Sequence, residues 1–209
     1  MYSKHFPEII KPLGKDLIFD IKNDRNALFL TFDDGPHPVI TPWVLDQLCR
    51  FNAKATFFLI GKNAEEHPEI VKKILEEGHS IGNHTQSHLS GWKTSNEAYY
   101  SDVRECSNKV QSQLFRPPYG QITKRQSKHL KVDYDIIMWS DLSADFDKNY
   151  SSDDCVKFAT NKVKSGSVVV FHDSDKAWSR LECALPKCLA FYSKKGFVME
   201  AISMKRKSP

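Results

Sequence analysis

Short β-branched and aromatic runs alternate along the chain with longer stretches whose apolar positions recur at helical spacing. Seven runs predict strands: Ala27–Phe32, Ala55–Ile60, His79–Asn83, Leu114–Arg116, Tyr134–Trp139, Ser167–His172 and Phe197–Ile202. The runs between them predict helices. Thr41–Phe51 opens with Thr as N-cap and Pro at the first helical position. His67–Glu77 starts at His-Pro and stops at Gly78. Ser95–Gln113, Thr123–Leu130, Asp153–Lys164 and Arg180–Lys195 complete the set, the last closed by Gly196.

The strands are short, apolar throughout and bounded by turns. Parallel strands covered on both faces read this way. Two α/β architectures fit: an open doubly wound sheet, or a closed and distorted (β/α) barrel of about seven strands. The chain of 209 residues shows no linker, low-complexity tract or internal repeat. It is expected to be a single domain spanning 1–209, with its motifs between 27 and 203.

The polar side chains then fall into one pattern. Asp33 and Asp34 follow the first predicted strand, His84 and His88 the third. Arg116 ends the fourth, Trp139 the fifth with Asp145 soon after, and His172 with Asp173 the sixth. The C-terminal ends of parallel strands share one face, which is where α/β active sites form.

Composition narrows the classes. With 40% apolar and 11% aromatic residues, the chain can bury a sizeable core. No apolar run approaches the roughly 18 residues of a membrane span. Net charge is +4, from 30 basic and 26 acidic residues, and no basic stripe interleaves with aromatics, so nucleic acid is not an expected partner. No obligate protein partner is evident. The opening MYSKHFPEIIKPLGKDL has no basic segment followed by an apolar block, and the closing KRKSP reads as a solvated tail. Cys49, Cys106, Cys155, Cys183 and Cys188 are odd in number and form no C-x-x-C pair, which suggests reduced thiols. Cys183 and Cys188 read as two core cysteines rather than a metal pair. Together these features lead to an expectation of a cytoplasmic protein, with export to the periplasm or cell surface as the alternative.

The candidate chemistry lies in three clusters. His84-Thr-Gln-Ser-His88 spaces two imidazoles at i and i+4, and on a helical turn both could grip one metal ion. A carboxylate from the first strand end could be the third ligand, leaving positions open for water and substrate. Adjacent Asp33 and Asp34 point opposite ways in extended chain, so one can face a metal and the other a metal-bound water. Arg116-Pro-Pro-Tyr-Gly120 is a rigid loop; Arg116 could pair with an aspartate, and the Tyr119 amide could face an oxyanion. His172, at the tip of an apolar strand, is a candidate general acid whose tautomer Asp145 or Asp173 could fix. Trp139, Phe146 and Phe171 could wall an apolar pocket. Trp43, Trp92 and Trp178 are either sugar-stacking platforms or packing residues. His37 matches no role and is expected to pack in its loop or touch substrate.

TFDDGP, HTQSH, RPPYG, MWSDLSADF and VVVFHD, in this order, resemble the five motifs of the polysaccharide deacetylase family, the NodB-homology carbohydrate esterases of family 4. They span Thr31 to Asp173. The resemblance implies a distorted (β/α) barrel and metal-dependent removal of acetyl groups from an N-acetylglucosamine-containing glycan of the peptidoglycan or chitin type. It implies Asp33 as base, and Asp34, His84 and His88 as ligands of a divalent metal, most often zinc, with cobalt or nickel as alternatives. Arg116 would orient Asp33, the Tyr119 amide would serve the oxyanion, and His172 would be the acid with Asp145 as partner. Trp139, Phe146, Phe171 and Pro117 would touch substrate, Phe171 at the position that meets the acetyl methyl. One departure is Asp145-Phe146, where many relatives have Asp-Trp. The alternatives are the same fold acting on a small linear or cyclic amide, and an inactive carbohydrate-binding relative.

Overall fold

The computed structural model describes residues 16–203; the opening residues 1–15 and the KRKSP tail lie outside them. The elements in order are β1 (Leu17–Ile18), β2 (Ala27–Asp33), α1 (Ile40–Arg50), β3 (Ala55–Leu59), α2 (Gly61–Glu66), α3 (Pro68–Glu76) and β4 (Ser80–Asn83). Then come α4 (Asn96–Ser107), β5 (Leu114–Phe115), a 3-10 turn at Pro118–Gly120, α5 (Lys124–Leu130), β6 (Asp135–Ile137), β7 (Asp141–Leu142), α6 (Ser152–Thr160), β8 (Val168–His172), α7 (Asp175–Lys194) and β9 (Val198–Met199).

The strands form one sheet in the order β1-β6-β5-β4-β3-β2-β8-β7, with β9 added beside β2. Every ladder pairing between these strands is parallel. The sheet curls into a distorted barrel because one segment serves both of its ends. Residues 135–136 pair with β5 and 136–137 with β1, and only a few residues later 141–142 pair with β8. Between them, the Met138 amide donates to Ile18 O at 2.7 Å and the Ser140 amide to Val168 O at 3.0 Å. All seven predicted strands form. The two-residue β1 and β7 were not predicted, since two residues carry no periodicity.

Alternation along the strands sorts side chains into two cores. Leu28, Leu30 and Phe32 of β2 face outward with Phe57 and Phe171, against Val44 and Leu48 of α1 and Leu181 and Leu185 of α7. Ala27 and Phe29 face inward with Phe58, Leu114, Ile137, Val168 and Val170, filling the barrel. Extending that inward register to the strand ends gives Asp33, Arg116, Trp139 and His172. The site is therefore the C-terminal mouth of the barrel interior.

The helices differ from expectation at their starts. Thr41 lies inside α1 and is not its cap. Its hydroxyl accepts from the His37 amide at 2.7 Å and donates to Asp173. The capping role falls to His37, whose Nδ1 accepts from the Val39 and Ile40 amides at 3.2 and 3.1 Å. His37 is thus a helix-capping residue. α7 begins five residues before the predicted Arg180, and the predicted Ser95–Gln113 helix stops at Ser107. Cys188 is buried but Cys183 is exposed, correcting the expectation of two core cysteines. Five residues on a helix is a rotation of about 140°, so the pair cannot share a face.

His79 opens the β4 edge inside the core, 6% exposed, and its Nδ1 accepts from the Ala55 amide at 3.1 Å. Burial, with help from Lys54, pushes its pKa down to about 4. The folded state therefore keeps His79 neutral while the unfolded chain protonates it below its ordinary value of 6.5. Stability is lost as pH falls through that window. His79→Asn keeps an acceptor but cannot titrate. Urea unfolding at pH 7 and pH 5 is expected to show wild type losing about 2 kcal/mol more than the variant.

Candidate functional site

A cavity of about 600 Å³ opens at the barrel mouth. Its lining includes Asp33, Asp34, His84, His88, Trp139, Phe146 and His172, so most of the residues singled out from sequence meet in one place. Beneath it lies Arg116, fully buried. Its Nη1 donates to Asp33 Oδ1 and Thr31 Oγ1, each at 2.7 Å. Its Nε donates to Ile137 O at 3.1 Å and its Nη2 to Met138 O at 2.9 Å. The guanidinium carbon stands 4.1 Å from the centre of the Phe58 ring. Burial lowers the Arg116 pKa and the Asp33 carboxylate opposes that shift. The cation is thus held by four acceptors and an aromatic face, and Asp33 is held in one orientation.

Asp34 leaves the strand at a left-handed φ of 79°, and that turn, rather than strand alternation, aims its carboxylate at the imidazoles. Its Oδ1 lies 3.1 Å from His88 Nε2 and 3.7 Å from His84 Nε2. The far nitrogens are engaged elsewhere: His84 Nδ1 is 2.7 Å from Arg116 O, and His88 Nδ1 is 3.1 Å from the Tyr119 hydroxyl. The Arg116 carbonyl can only accept, so it holds the His84 proton on Nδ1 and leaves the His84 Nε2 lone pair facing Asp34, while the Tyr119 hydroxyl orients the His88 ring. Burial, with the neighbouring His88, keeps His84 neutral by lowering its pKa to about 4, although Asp33 and Asp34 pull the other way. Burial opposes ionisation of Asp34, but its bond to His88 and the field of the nearby imidazoles hold the carboxyl well below the usual range. One carboxylate oxygen and two imidazole nitrogens within 4.8 Å of one another make a donor set suited to a divalent cation.

The imidazoles do not sit on a helical turn, as their spacing suggested. Thr85 and His88 have φ of 64° and 56°, which breaks any helix, and the loop is pinned instead. The Thr85 amide donates to Asn83 Oδ1 at 2.9 Å, and the Ser87 amide to Asp102 Oδ2 at 3.0 Å. Left-handed backbone recurs around the mouth, at Tyr119 (φ 61°) and Ala144 (φ 59°) as well. Such positions cost about 1–3 kcal/mol each and persist where their surroundings over-determine them.

His172 faces Asp33 across the β2–β8 ladder. Asp145 accepts from the His172 amide at 2.9 Å and lies 2.8 Å from its Nδ1, so Asp145, not Asp173, sets the tautomer. Burial disfavours the imidazolium, but the Asp145 carboxylate outweighs it, helped by Asp34 and Asp33, and raises the His172 pKa to about 9. Asp173 is buried against Gly35 and bonded to Thr41, and burial raises its pKa to about 8.

Two expectations need correction. Phe171 does not line the cavity; it is fully buried on the outward face, stacked on Phe32 at 5.9 Å. Alternation puts Val170 beside His172 on the inward face, and Val170 and Leu142 form that wall. Pro117 is likewise buried behind the turn rather than lining the cavity. Tyr119 offers a 59% exposed side chain whose hydroxyl reaches His88, a contact sequence reasoning missed. Trp43 and Trp178 pack edge-to-face at 5.0 Å against the outer core. Trp92 lines the cavity, with its indole N–H held by Ile122 O at 3.1 Å. Gly120 (φ 67°) passes so close to Trp139 that a Cβ would meet the indole at 2.6 Å.

A sequence model described as polysaccharide deacetylase matches residues 20–134. A peptidoglycan-N-acetylglucosamine deacetylase of Bacillus cereus is 34% identical over 201 residues, covering 93% of this chain and 94% of the relative. One from Listeria monocytogenes is 36% identical over 158 residues, covering 73% of this chain and 33% of that longer protein. A crystal structure of a peptidoglycan N-acetylglucosamine deacetylase bound to 4-naphthalen-1-yl-N-oxidanyl-benzamide superposes with a TM-score of 0.85 at 31% identity. That match covers 94% of this chain and 95% of the other.

Removing Arg116 strips the Asp33 carboxylate and two backbone carbonyls of their buried partner. Arg116→Ala is expected to lower the unfolding free energy by about 3–5 kcal/mol in urea titration. Lys176→Ala, at an exposed position, is expected to stay within about 0.5 kcal/mol of wild type.

Proposed function

The chain belongs to the polysaccharide deacetylase family, and we propose that it hydrolyses the acetamide of N-acetylglucosamine units in a glycan, releasing acetate and leaving a free amine. The observation that carries this is the paired geometry of the two aspartates. Asp34 faces two imidazole nitrogens, while Asp33 faces the cavity from the Arg116 ion pair.

Asp34, His84 and His88 would hold the divalent cation, with zinc the first choice and cobalt or nickel the alternatives. When bound, it would polarise the acetamide oxygen and make a water more acidic. Asp33 takes the proton of the attacking water, with Arg116 fixing which carboxylate oxygen is free to do so. The Tyr119 amide, at its left-handed turn on the cavity wall, is assigned to the developing oxyanion. His172 gives its Nε2 proton to the departing nitrogen as the C–N bond breaks, and Asp145 steadies the imidazolium. Val170, Leu142 and Trp139 form the apolar wall suited to the acetyl methyl. The relatives named above are named for peptidoglycan, a polymer of the cell wall. That favours the exported alternative over the cytoplasmic expectation. The assigned residues all lie between 27 and 203, consistent with one catalytic domain.

The central test is acetate release from N-acetylglucosamine oligomers and peptidoglycan, with and without chelator, followed by add-back of zinc, cobalt or nickel. Metal-restored release is expected. A metal-loaded chain that binds glycan but frees no acetate would return the reading to a binding relative, and activity confined to small amides would favour that alternative.

Asp33→Asn should keep its metal and lose about 10²–10⁴ in kcat. Asp34→Ala should lose the metal itself, read by elemental analysis after dialysis. Tyr119→Phe removes the partner of His88 Nδ1 and should weaken metal affinity by about tenfold in competition with a chromogenic chelator.

Asp145→Asn removes the charge that raises the His172 pKa. The alkaline limb of the kcat profile should then move to lower pH, because the acid must be protonated to act. An unmoved limb would assign the proton to another group.

A further inference from the structure

The cavity is walled by two separate rims. Trp92, Tyr119, Gly120 and Gln121 follow β4 and β5, and they are tied together by the Gly91 amide donating to Gln121 O at 3.0 Å. Phe146 and Lys176 follow β7 and β8. The sheet order sets β3 and β2 between these rims, so Asp33 and Asp34 lie between them. A chain of sugars crossing the mouth therefore meets one rim on each side of the reacting unit.

The second rim carries an unusual charge. Lys176 is exposed and is the one lysine or arginine lining the cavity among the described residues. Its ammonium rests 5.2 Å from the centre of the Phe146 ring, and that ring packs on His172 at 4.8 Å. Through that shared ring the ammonium stays close to the acid, on the part of the rim that a neighbouring sugar would cross. Its neighbours are committed elsewhere: Asp175 faces His37 at 3.2 Å, and Arg180 donates to the Asp145 and Lys176 carbonyls. Lys176 also sits in the first turn of α7, where the helix dipole disfavours a cation and favours an anion. A surface lysine serving only solubility would gain more on almost any other turn of the helix.

We propose that Lys176 pairs with a carboxylate carried on the sugar flanking the one deacetylated, so that the enzyme prefers an acidic amino-sugar polymer to a neutral one. This rests on the deacetylase reading above and specifies its substrate class. The aromatic face of Phe146 holds the ammonium at the rim, and the α7 N-terminus adds to the positive potential an approaching carboxylate meets. Because the pair is solvent-facing, its contribution is modest and sensitive to salt.

The test uses the full-length, metal-loaded enzyme and two soluble tetrasaccharides. One is the neutral N-acetylglucosamine tetramer. The other alternates N-acetylglucosamine with N-acetylmuramic acid, whose lactyl ether supplies the carboxylate. Lys176→Ala is expected to raise KM for the acidic tetramer about fivefold, with kcat unchanged and the neutral tetramer within about twofold. Lys176→Arg should restore most of the difference, and 0.5 M salt should shrink it in wild type. Equal shifts on both substrates, no shift on either, or wild-type activity on the neutral tetramer alone would overturn the proposal while leaving the deacetylase reading in place. Wild type that frees acetate from neither would overturn that reading and this one with it.

Discussion

A guanidinium buried at the centre of a parallel barrel is the constraint on which the rest of this structure depends. Arg116 is fully buried, and an unpaired cation there would be prohibitively costly. The fold answers with acceptors from two sides: Asp33 and Thr31 on β2, and the Ile137 and Met138 carbonyls at the end of β6. Each of these bonds sets a distance across the barrel. The β6–β7 segment must turn where it does to offer its carbonyls, and that same turn joins the two ends of the sheet. One cation thus couples barrel closure to the orientation of the candidate base.

The two aspartates show how little chain is needed to separate two functions. Asp33 continues the inward register of β2, and the left-handed turn at Asp34 sends the next carboxylate toward other partners. The arginine below and the imidazoles above give them opposite partners. Their mutual repulsion is absorbed because each faces its own positive or cation-seeking neighbourhood. His172 completes the arrangement from the next strand, directly across the ladder from Asp33, with Asp145 behind it.

Strain and rigidity are distributed unevenly around the mouth. The strands place Asp33, Arg116 and His172 with ordinary backbone geometry. Asp34, His88 and Tyr119 adopt left-handed conformations, and side chains of Asn63, Asn83 and Asp102 pin the loops that carry the first two. Groups that must converge on one point from different loops are thus held by over-determined turns, while those that need only direction are held by strand register.

Much of this was legible in the chain. The seven apolar runs marked the strands, and the placement of Asp33, Asp34, His84, His88, Arg116 and His172 at their ends marked the site, because alternation and parallel topology follow from local chemistry. The family resemblance added roles that spacing alone left open. Other features depend on contacts between residues distant in sequence, which no local pattern encodes. Phe171 was misplaced by one step of alternation, and Val170 holds the inward position instead. The i, i+4 spacing of the histidine pair suggests a helical turn, and the left-handed backbone at Thr85 and His88 replaces it with a pinned loop. His37 became a helix cap, and Asp145 rather than Asp173 was chosen for His172. β1 and β7 are too short to carry a pattern, yet they close the barrel. Local sequence determined which residues face inward; only the tertiary structure decided which of them touch, since partner choice depends on how far the sheet curls.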